Sequence, residues 1–86
     1  MMAVYVDVIR GCVPTPGWPW SKSCHLWADS EEELHALAAR IGLRREWAQR
    51  SRTGVVHYDL TPKKRAQAIR AGASDREIYG RKTIQT

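Results

Sequence analysis

Short apolar runs separated by turn residues mark three strands along the chain. The first run is AVYVDVI, residues 3 to 9, which is rich in β-branched residues and almost continuously apolar. Such a run is typical of a strand that is covered on both faces. CHLWA (24–28) and VVHYDL (55–60) predict two more strands, and REIY (76–79) is a candidate for a short last one.

Two stretches combine the apolar period of a helix with good capping residues. In the first, Ser30 and Glu33 form the S-x-x-E pattern of a capping box. Apolar residues three and four positions apart then form one stripe along the helix. The stripe consists of Leu34, Leu37, Ala38 and Ile41. In the second stretch Thr61 is a suitable N-cap, Pro62 a suitable first residue, and Gly72 ends the helix.

Proline and glycine mark the connections between these elements. Residues 10–23 contain three prolines and two glycines, and this composition predicts a loop. Residues 44–49 predict a helical turn, followed by a basic loop that closes at Gly54.

The order of elements predicts the fold class. Strands that alternate with helices indicate crossover connections, which join parallel strands. We therefore predict one small α/β domain over residues 1–86, with a core at about 3–79 and a tail at 80–86. Its sheet is expected to have three or four mostly parallel strands in β-β-α-β-α-β order, with both helices packed on it. The residues expected in the core are Val4, Val6, Leu34, Leu37, Ile41, Val56, Tyr58 and Ile69.

Composition narrows the class of protein without identifying an activity. The formal net charge is +5 at pH 7 and the pI is about 9.7, which favours polyanionic partners. No apolar run approaches the roughly 20 residues that a membrane span needs, and the N-terminus lacks a signal-peptide pattern. We therefore expect a cytoplasmic protein without a membrane partner, in which Cys12 and Cys24 are reduced thiols.

Three aspartates fall near the ends of the predicted strands. Asp7 lies late in the first strand, Asp29 follows the second, and Asp59 lies near the end of the third. If the strands are parallel, their carboxyl ends meet at one edge, and three carboxylates there could bind Mg²⁺ or Mn²⁺. The alternative is structural, because Asp29 also suits a helix cap, Asp59 a bond to nearby amides, and Asp7 a pair with an arginine.

Two histidines lie within predicted strands and suggest acid–base chemistry. His57 and Asp59 are two positions apart and so share one strand face. If the two strands are neighbours, His25 comes close to His57. The three side chains would then suit general acid–base catalysis or a transition metal. The alternative is a pair of hydrogen-bonded core histidines.

Basic residues follow the third strand directly. Lys64 and Arg65 lie in the first turns after Thr61, where the helix dipole disfavours cations. An anion bound at the free N–H groups of that helix would offset this cost, so the segment suggests a phosphate or carboxylate site. The alternative is a solvated basic face.

The loop at 10–23 contains two tryptophans. Trp18 and Trp20, with Lys22 beside them, could stack on nucleic-acid bases or bind in a pocket of a partner protein. They could equally fold back to enlarge a core that is thin at this chain length.

Several motifs together resemble a known family. YVD near the start, CHLWADS, EELHALAARIGL, the EW pair and HYDLTPKKRAQAIRAGA resemble the small bacterial and phage proteins grouped as domain of unknown function 4031, from about Val4 to Ala73. Two positions depart from the family pattern, since Val8 replaces a second acid and Ala48 replaces an aromatic residue. The resemblance places the family's polar positions at Asp7, Arg10, His25, Asp29, His35, Trp47, Gln49, His57, Tyr58, Asp59, Lys64 and Arg65.

This resemblance implies a shared polar site and no particular reaction, in the cytoplasm of a bacterium or a phage-infected cell. The leading hypothesis is binding of an anionic ligand, a nucleotide or a nucleic-acid phosphate, by Arg10, Trp47, Lys64 and Arg65. The first alternative is a metal-dependent phosphoester hydrolase that uses His25, His57 and Asp59. The second is a phage-type protein that inhibits a host protein through the tryptophan loop.

Overall fold

A computed structural model describes residues 3–76 of the chain. Within that range it contains six strands, two α-helices and one short 3₁₀ helix at Arg45–Trp47. The strands are β1 (Val4–Val6), β2 (Arg10–Gly11), β3 (Lys22–Ala28), β4 (Gln49–Arg50), β5 (Val56–Leu60) and β6 (Ser74–Asp75). The helices are α1 (Glu31–Arg40) and α2 (Pro62–Arg70). No helix in this part of the chain is long and apolar enough to cross a membrane.

The six strands form one mixed sheet that is mostly antiparallel. Its order is β4-β5-β3-β1-β6, and β2 pairs separately with β3. Strand β3 is antiparallel to β1, β2 and β5, and β4 is antiparallel to β5. Among the described strands only β1 and β6 pair in parallel. The predicted sheet of three or four mostly parallel strands is therefore wrong, as is its β-β-α-β-α-β order.

The reason for this error lies in the segment predicted as a helical turn followed by a basic loop. It contains β4, a strand of two residues that forms a tight hairpin with β5. The turn is closed by the Ser51 amide, which donates to the Val55 carbonyl at 2.9 Å, and by Gly54, whose φ is +92°. Because β4 takes the direction that the crossover from β3 imposes, the hairpin reverses β5 and makes it antiparallel to β3.

Both helices pack on the same face of the sheet. Leu34, Leu37 and Ala38 of α1 and Ala68 of α2 share one core cluster with alternate residues of the central strands. Those strand residues are Val4, Val6, Cys24, Leu26, Tyr58 and Leu60. The predicted apolar stripe of α1 is confirmed, since its members are all buried.

One predicted core residue lies outside the core. Ile69 is 40% exposed, because Ala68 occupies the position of α2 that faces the sheet. Val56 is half-buried and packs against the core cluster.

The predicted caps begin both helices. The Ser30 hydroxyl accepts from the Glu33 amide at 3.2 Å, and the Thr61 hydroxyl accepts from the Lys64 amide at 3.2 Å. Each contact satisfies an amide that the first turn leaves without an intrahelical partner.

The ends of several elements differ from the predicted ones. Strand β1 ends at Val6, and the predicted loop at 10–23 contains β2 and the start of β3. The last described strand is β6 at Ser74–Asp75, and of the strand predicted at 76–79 only Arg76 is described. Residues 77–79 and the predicted tail at 80–86 lie outside the described residues.

Candidate metal centre

A polar cluster lies on the face of the sheet opposite the helices. Side chains alternate between the two faces of a strand, and the residues of β3 and β5 that face the helices are apolar. His25 of β3 and the pair His57 and Asp59 of β5 therefore share the other face. Because β3 and β5 are neighbours, His25 is paired directly with Asp59.

These three side chains are close enough to share one ion. The rings of His25 and His57 meet edge to face, with their centroids 5.3 Å apart. His57 Nε2 lies 3.7 Å from Asp59 Oδ1. One candidate ligand atom from each of the three residues lies within 4.8 Å of the other two. We call these three residues the His-His-Asp cluster.

Asp7 lies behind His25 and is completely buried, with 0% of its surface exposed. Its Oδ1 accepts from the backbone N–H of His25 at 2.6 Å, and its Oδ2 lies 2.7 Å from Nδ1 of the same residue. Metal-binding histidines commonly have such a carboxylate on the nitrogen that does not meet the metal. Asp7 is thus placed to orient a ligand.

The other two members of the cluster are also oriented by neighbours. His57 Nδ1 lies 3.3 Å from the carbonyl oxygen of Val55, and His57 is only 8% exposed. Because a carbonyl only accepts, this contact requires Nδ1 to carry the proton. The Gln49 side-chain amide donates to Asp59 Oδ2 at 3.0 Å and leaves Oδ1 facing His57.

This donor set suits a transition metal better than magnesium. Imidazole nitrogens bind zinc, iron, copper and nickel, whereas magnesium prefers oxygen ligands. Ligands on a tetrahedral zinc ion lie about 3.4 Å apart, so atoms that lie up to 4.8 Å apart would close by about 1.4 Å at most. Three protein ligands leave a position open for water or substrate.

The three aspartates of the predicted Mg²⁺ or Mn²⁺ site do not converge. Strands β1 and β5 both run opposite to β3, so Asp7 and Asp59 lie at one end of the sheet and Asp29 at the other. There Asp29 accepts from the Tyr5 hydroxyl at 3.0 Å, beside a cleft of about 220 Å³ that Trp27 and residues 54–56 also line. The separation follows directly from the antiparallel sheet.

The two basic residues that open α2 contact backbone carbonyls. Lys64 donates to the carbonyl of Ile41 at the end of α1, where a cation is favourable to the helix dipole. Arg65 donates from Nε to the carbonyl oxygen of Asp7 at 2.8 Å and pairs through Nη2 with Asp75 at 3.0 Å. Both cations therefore stabilise the packing of α2, and Arg65 does so directly behind the His-His-Asp cluster.

The remaining predicted ligand residues are exposed. Arg10 is paired with Ser23, two positions from His25, and therefore lies on the same face of the sheet as the cluster. Trp47 lies in the 3₁₀ helix, with the Arg44 guanidinium 5.9 Å from its ring centroid.

Residues 12–21 form a projecting hairpin that we call the tryptophan arm. The Cys12 amide donates to the Ser21 carbonyl at 2.8 Å, and Thr15 and Trp18 bond to each other through their backbones. The rings of Trp18 and Trp20 pack edge to face at 4.7 Å. Trp18 Nε1 is buried and has no hydrogen-bond partner among the described residues, whereas Trp20 is 48% exposed.

Sequence reasoning missed a second polar pair, on the helix side of the sheet. His35 is half-buried, and its Nδ1 lies 2.6 Å from the Tyr58 hydroxyl. Burial raises the pKa of Tyr58, and the nearby charge of Arg45 opposes that shift. The available signal was Tyr58 itself, because a buried tyrosine hydroxyl usually finds a partner.

Fold and cluster together describe a small mixed α/β domain with a candidate metal centre on the sheet face opposite its helices. The chain belongs to the family described as "Protein of unknown function (DUF4031)", whose model matches residues 4–85. This confirms the resemblance seen in the motifs. Comparison with curated proteins and with solved structures found no significant match.

Proposed function

We propose that this protein is a small metal-dependent phosphoester hydrolase whose metal is bound by His25, His57 and Asp59. The observation that carries the proposal is the approach of these three candidate ligand atoms to within 4.8 Å of one another. Two imidazoles and one carboxylate come from neighbouring strands, and three further groups, on Asp7, Val55 and Gln49, hold them in place.

A transition metal at this cluster would supply a nucleophile at neutral pH. A metal ion with an open position lowers the pKa of bound water to about 7 in zinc enzymes, and it also polarises a phosphoryl oxygen. Zinc, iron, copper and nickel fit the nitrogen-containing donor set.

The anionic nature of the substrate is supported by charge. The chain carries a formal net charge of +5, and Arg10 lies on the face of the sheet that carries the cluster. No acid occurs between Asp7 and Asp29, so the segment that leads into the cluster is basic. A nucleotide or a nucleic-acid phosphate fits this distribution of charge.

The test compares two isosteric substitutions by metal titration and by turnover of a phosphodiester. Asp59→Asn removes a ligand charge, and Asp29→Asn is the matched control, because Asp29 lies at the other end of the sheet. We expect the parent and Asp29→Asn to bind Zn²⁺ and to hydrolyse bis-p-nitrophenyl phosphate, and Asp59→Asn to lose both properties. Equal metal affinity in all three proteins, or none in the parent, would refute the proposal.

The tryptophan arm and the residues just before it suggest a second candidate function, which is binding of a protein partner. Four exposed large apolar residues lie between positions 8 and 20, and Val13 is 83% exposed. Exposed apolar groups ringed by polar ones are typical of protein-binding surfaces. If the arm binds a host protein, replacing Val13 and Trp20 by serine should abolish capture of that protein and leave metal binding unchanged.

A further inference from the structure

We infer that Asp7 is a positioning residue that fixes the tautomer of His25 and so decides which ring nitrogen meets the metal. The inference rests on the proposed metal centre and assigns to it a residue that does not itself bind the ion. It follows from the different hydrogen bonds that the two oxygens of the buried Asp7 carboxylate make with His25.

The first oxygen of the Asp7 carboxylate can act only as a hydrogen-bond acceptor. Oδ1 lies 2.6 Å from the backbone nitrogen of His25, and a backbone N–H can only donate. Whatever group occupies this place must therefore present an acceptor to that N–H.

The second oxygen then determines which nitrogen of the His25 ring carries a proton. Oδ2 lies 2.7 Å from His25 Nδ1, and an ionised carboxylate is an acceptor only. Nδ1 must therefore carry a proton. In the neutral imidazole this places the lone pair on Nε2, the nitrogen that can bind a metal.

Asp7 is held in place from both sides. Its own amide donates to the His25 carbonyl at 3.3 Å, and its carbonyl accepts from Arg65 Nε at 2.8 Å. Arg65 is fixed in turn by Asp75, 3.0 Å from its Nη2. Helix α2 and the end of β6 thus fix the backbone of Asp7, while both oxygens of its carboxylate are bound to His25.

The second histidine reaches the same state through a different group. The Val55 carbonyl lies 3.3 Å from His57 Nδ1 and requires a proton there. His57 Nε2 is the atom 3.7 Å from Asp59. Two unrelated acceptors, a carboxylate and a carbonyl, therefore both direct Nε2 of a histidine toward the cluster.

Asp7→Asn gives a prediction that a merely structural role would not. Asparagine has the same shape, but its single oxygen is required by the His25 amide. Its NH₂ group then faces Nδ1 and donates to it, so the proton moves to Nε2. His25 in that tautomer cannot bind the metal through Nε2, and we expect metal affinity to fall about 10- to 100-fold.

The experiment measures tautomer and metal affinity separately. Long-range ¹H–¹⁵N NMR of the metal-free proteins at pH 8 should show an Nδ1–H ring for His25 in the parent and an Nε2–H ring in Asp7→Asn. Titration of Zn²⁺ against a chromophoric chelator should give the expected loss in Asp7→Asn and no change in Asp29→Asn. Near-ultraviolet circular dichroism checks that each variant is folded.

Each result has a distinct meaning. An Nε2–H ring in the parent, or full Zn²⁺ affinity in folded Asp7→Asn, would overturn the inference. If Asp7→Asn does not fold, the tautomer of the parent alone decides the matter. A parent with an Nδ1–H ring that binds no Zn²⁺ would overturn the proposed function and leave the role of Asp7 toward His25 intact.

Discussion

At the scale of single residues, burial controls the chemistry of Cys24. Cys24 belongs to β3, is part of the core cluster and is 2% exposed. Burial, with a smaller contribution from the charge of Asp7, raises the pKa of Cys24 from 9.0 to about 12. Cys12, the other free cysteine, is half-buried at the base of the tryptophan arm.

This difference predicts selective alkylation and a pH dependence of stability. Since the thiolate is the reactive form, iodoacetamide at pH 8.5 should modify Cys12 well before Cys24, as peptide mass spectrometry can measure. Above pH 9 the unfolded chain ionises Cys24 whereas the folded chain does not. The free energy of unfolding should therefore fall as the pH rises from 9 toward 12.

The control for the pH dependence is Cys24→Ala, which lacks the thiol. Urea midpoints at pH 7, 9 and 10 should fall less steeply for this variant than for the parent. Parallel curves for the two proteins would contradict the assignment.

At the scale of elements, a hairpin of few residues determines the direction of β5. Gly54 has a φ of +92°, a conformation that costs other residues about 1–2 kcal/mol. The space around it is open, so an added methyl group would meet no neighbouring atom within 4 Å. Any cost of a substitution here must come from the backbone conformation.

Gly54→Ala should therefore lower the free energy of unfolding by about 1–2 kcal/mol. Gly17→Ala in the tryptophan arm is the matched control, because its surroundings are equally open and its φ is not positive. Chemical denaturation should show little change for the control. An equal effect in the two variants would mean that the turn does not require a left-handed residue.

The same hairpin explains which parts of the fold were predictable. Hydrophobic periodicity and capping residues sufficed to locate α1, α2, β3 and β5, because each of these signals lies within a short stretch of sequence. Strand β4 has only two residues, Gln49 and Arg50, and both are polar and exposed, so no apolar pattern marks it. Because β4 was not predicted, the predicted direction of every later strand was reversed relative to β3.

The proximity of the three candidate ligands was predictable to the extent that it depends on the alternation of side chains along a strand. His57 and Asp59 share a face in any strand, and a neighbouring β3 brings His25 to them. The place of Asp29 depends on strand direction, which the sequence pattern does not encode. The contact of Arg65 with Asp7 joins residues far apart in the chain, and no local signal indicates it.

At the scale of the whole molecule, charge should govern any contact with nucleic acid. The net charge of +5 includes exposed arginines near the 3₁₀ helix, among them Arg44 and Arg45. If the substrate is a nucleic acid, log K should fall linearly with log salt, by about 0.7 per phosphate neutralised on a single strand.

Replacing Arg44 and Arg45 together by glutamine should weaken binding to all sequences alike and make the salt slope shallower. Fluorescence anisotropy of labelled oligonucleotides at several salt concentrations measures both quantities. Replacing Trp20 instead should leave the slope unchanged, since it removes no charge. Binding that is independent of salt would exclude an electrostatic contact of this kind.

The parallel pairing of β1 with β6 has a consequence for synthesis. Tyr5 is paired with Ser74, so β1 can pair with β6 only after the chain has been synthesised as far as Ser74. Until α2 has left the ribosome, the nascent polypeptide keeps an open edge along β1, and open edges promote association between chains. Contacts so distant in sequence also slow folding. A ribosome-bound chain that stops before Ser74 should therefore recruit chaperones, whereas one that extends beyond Arg76 should release them.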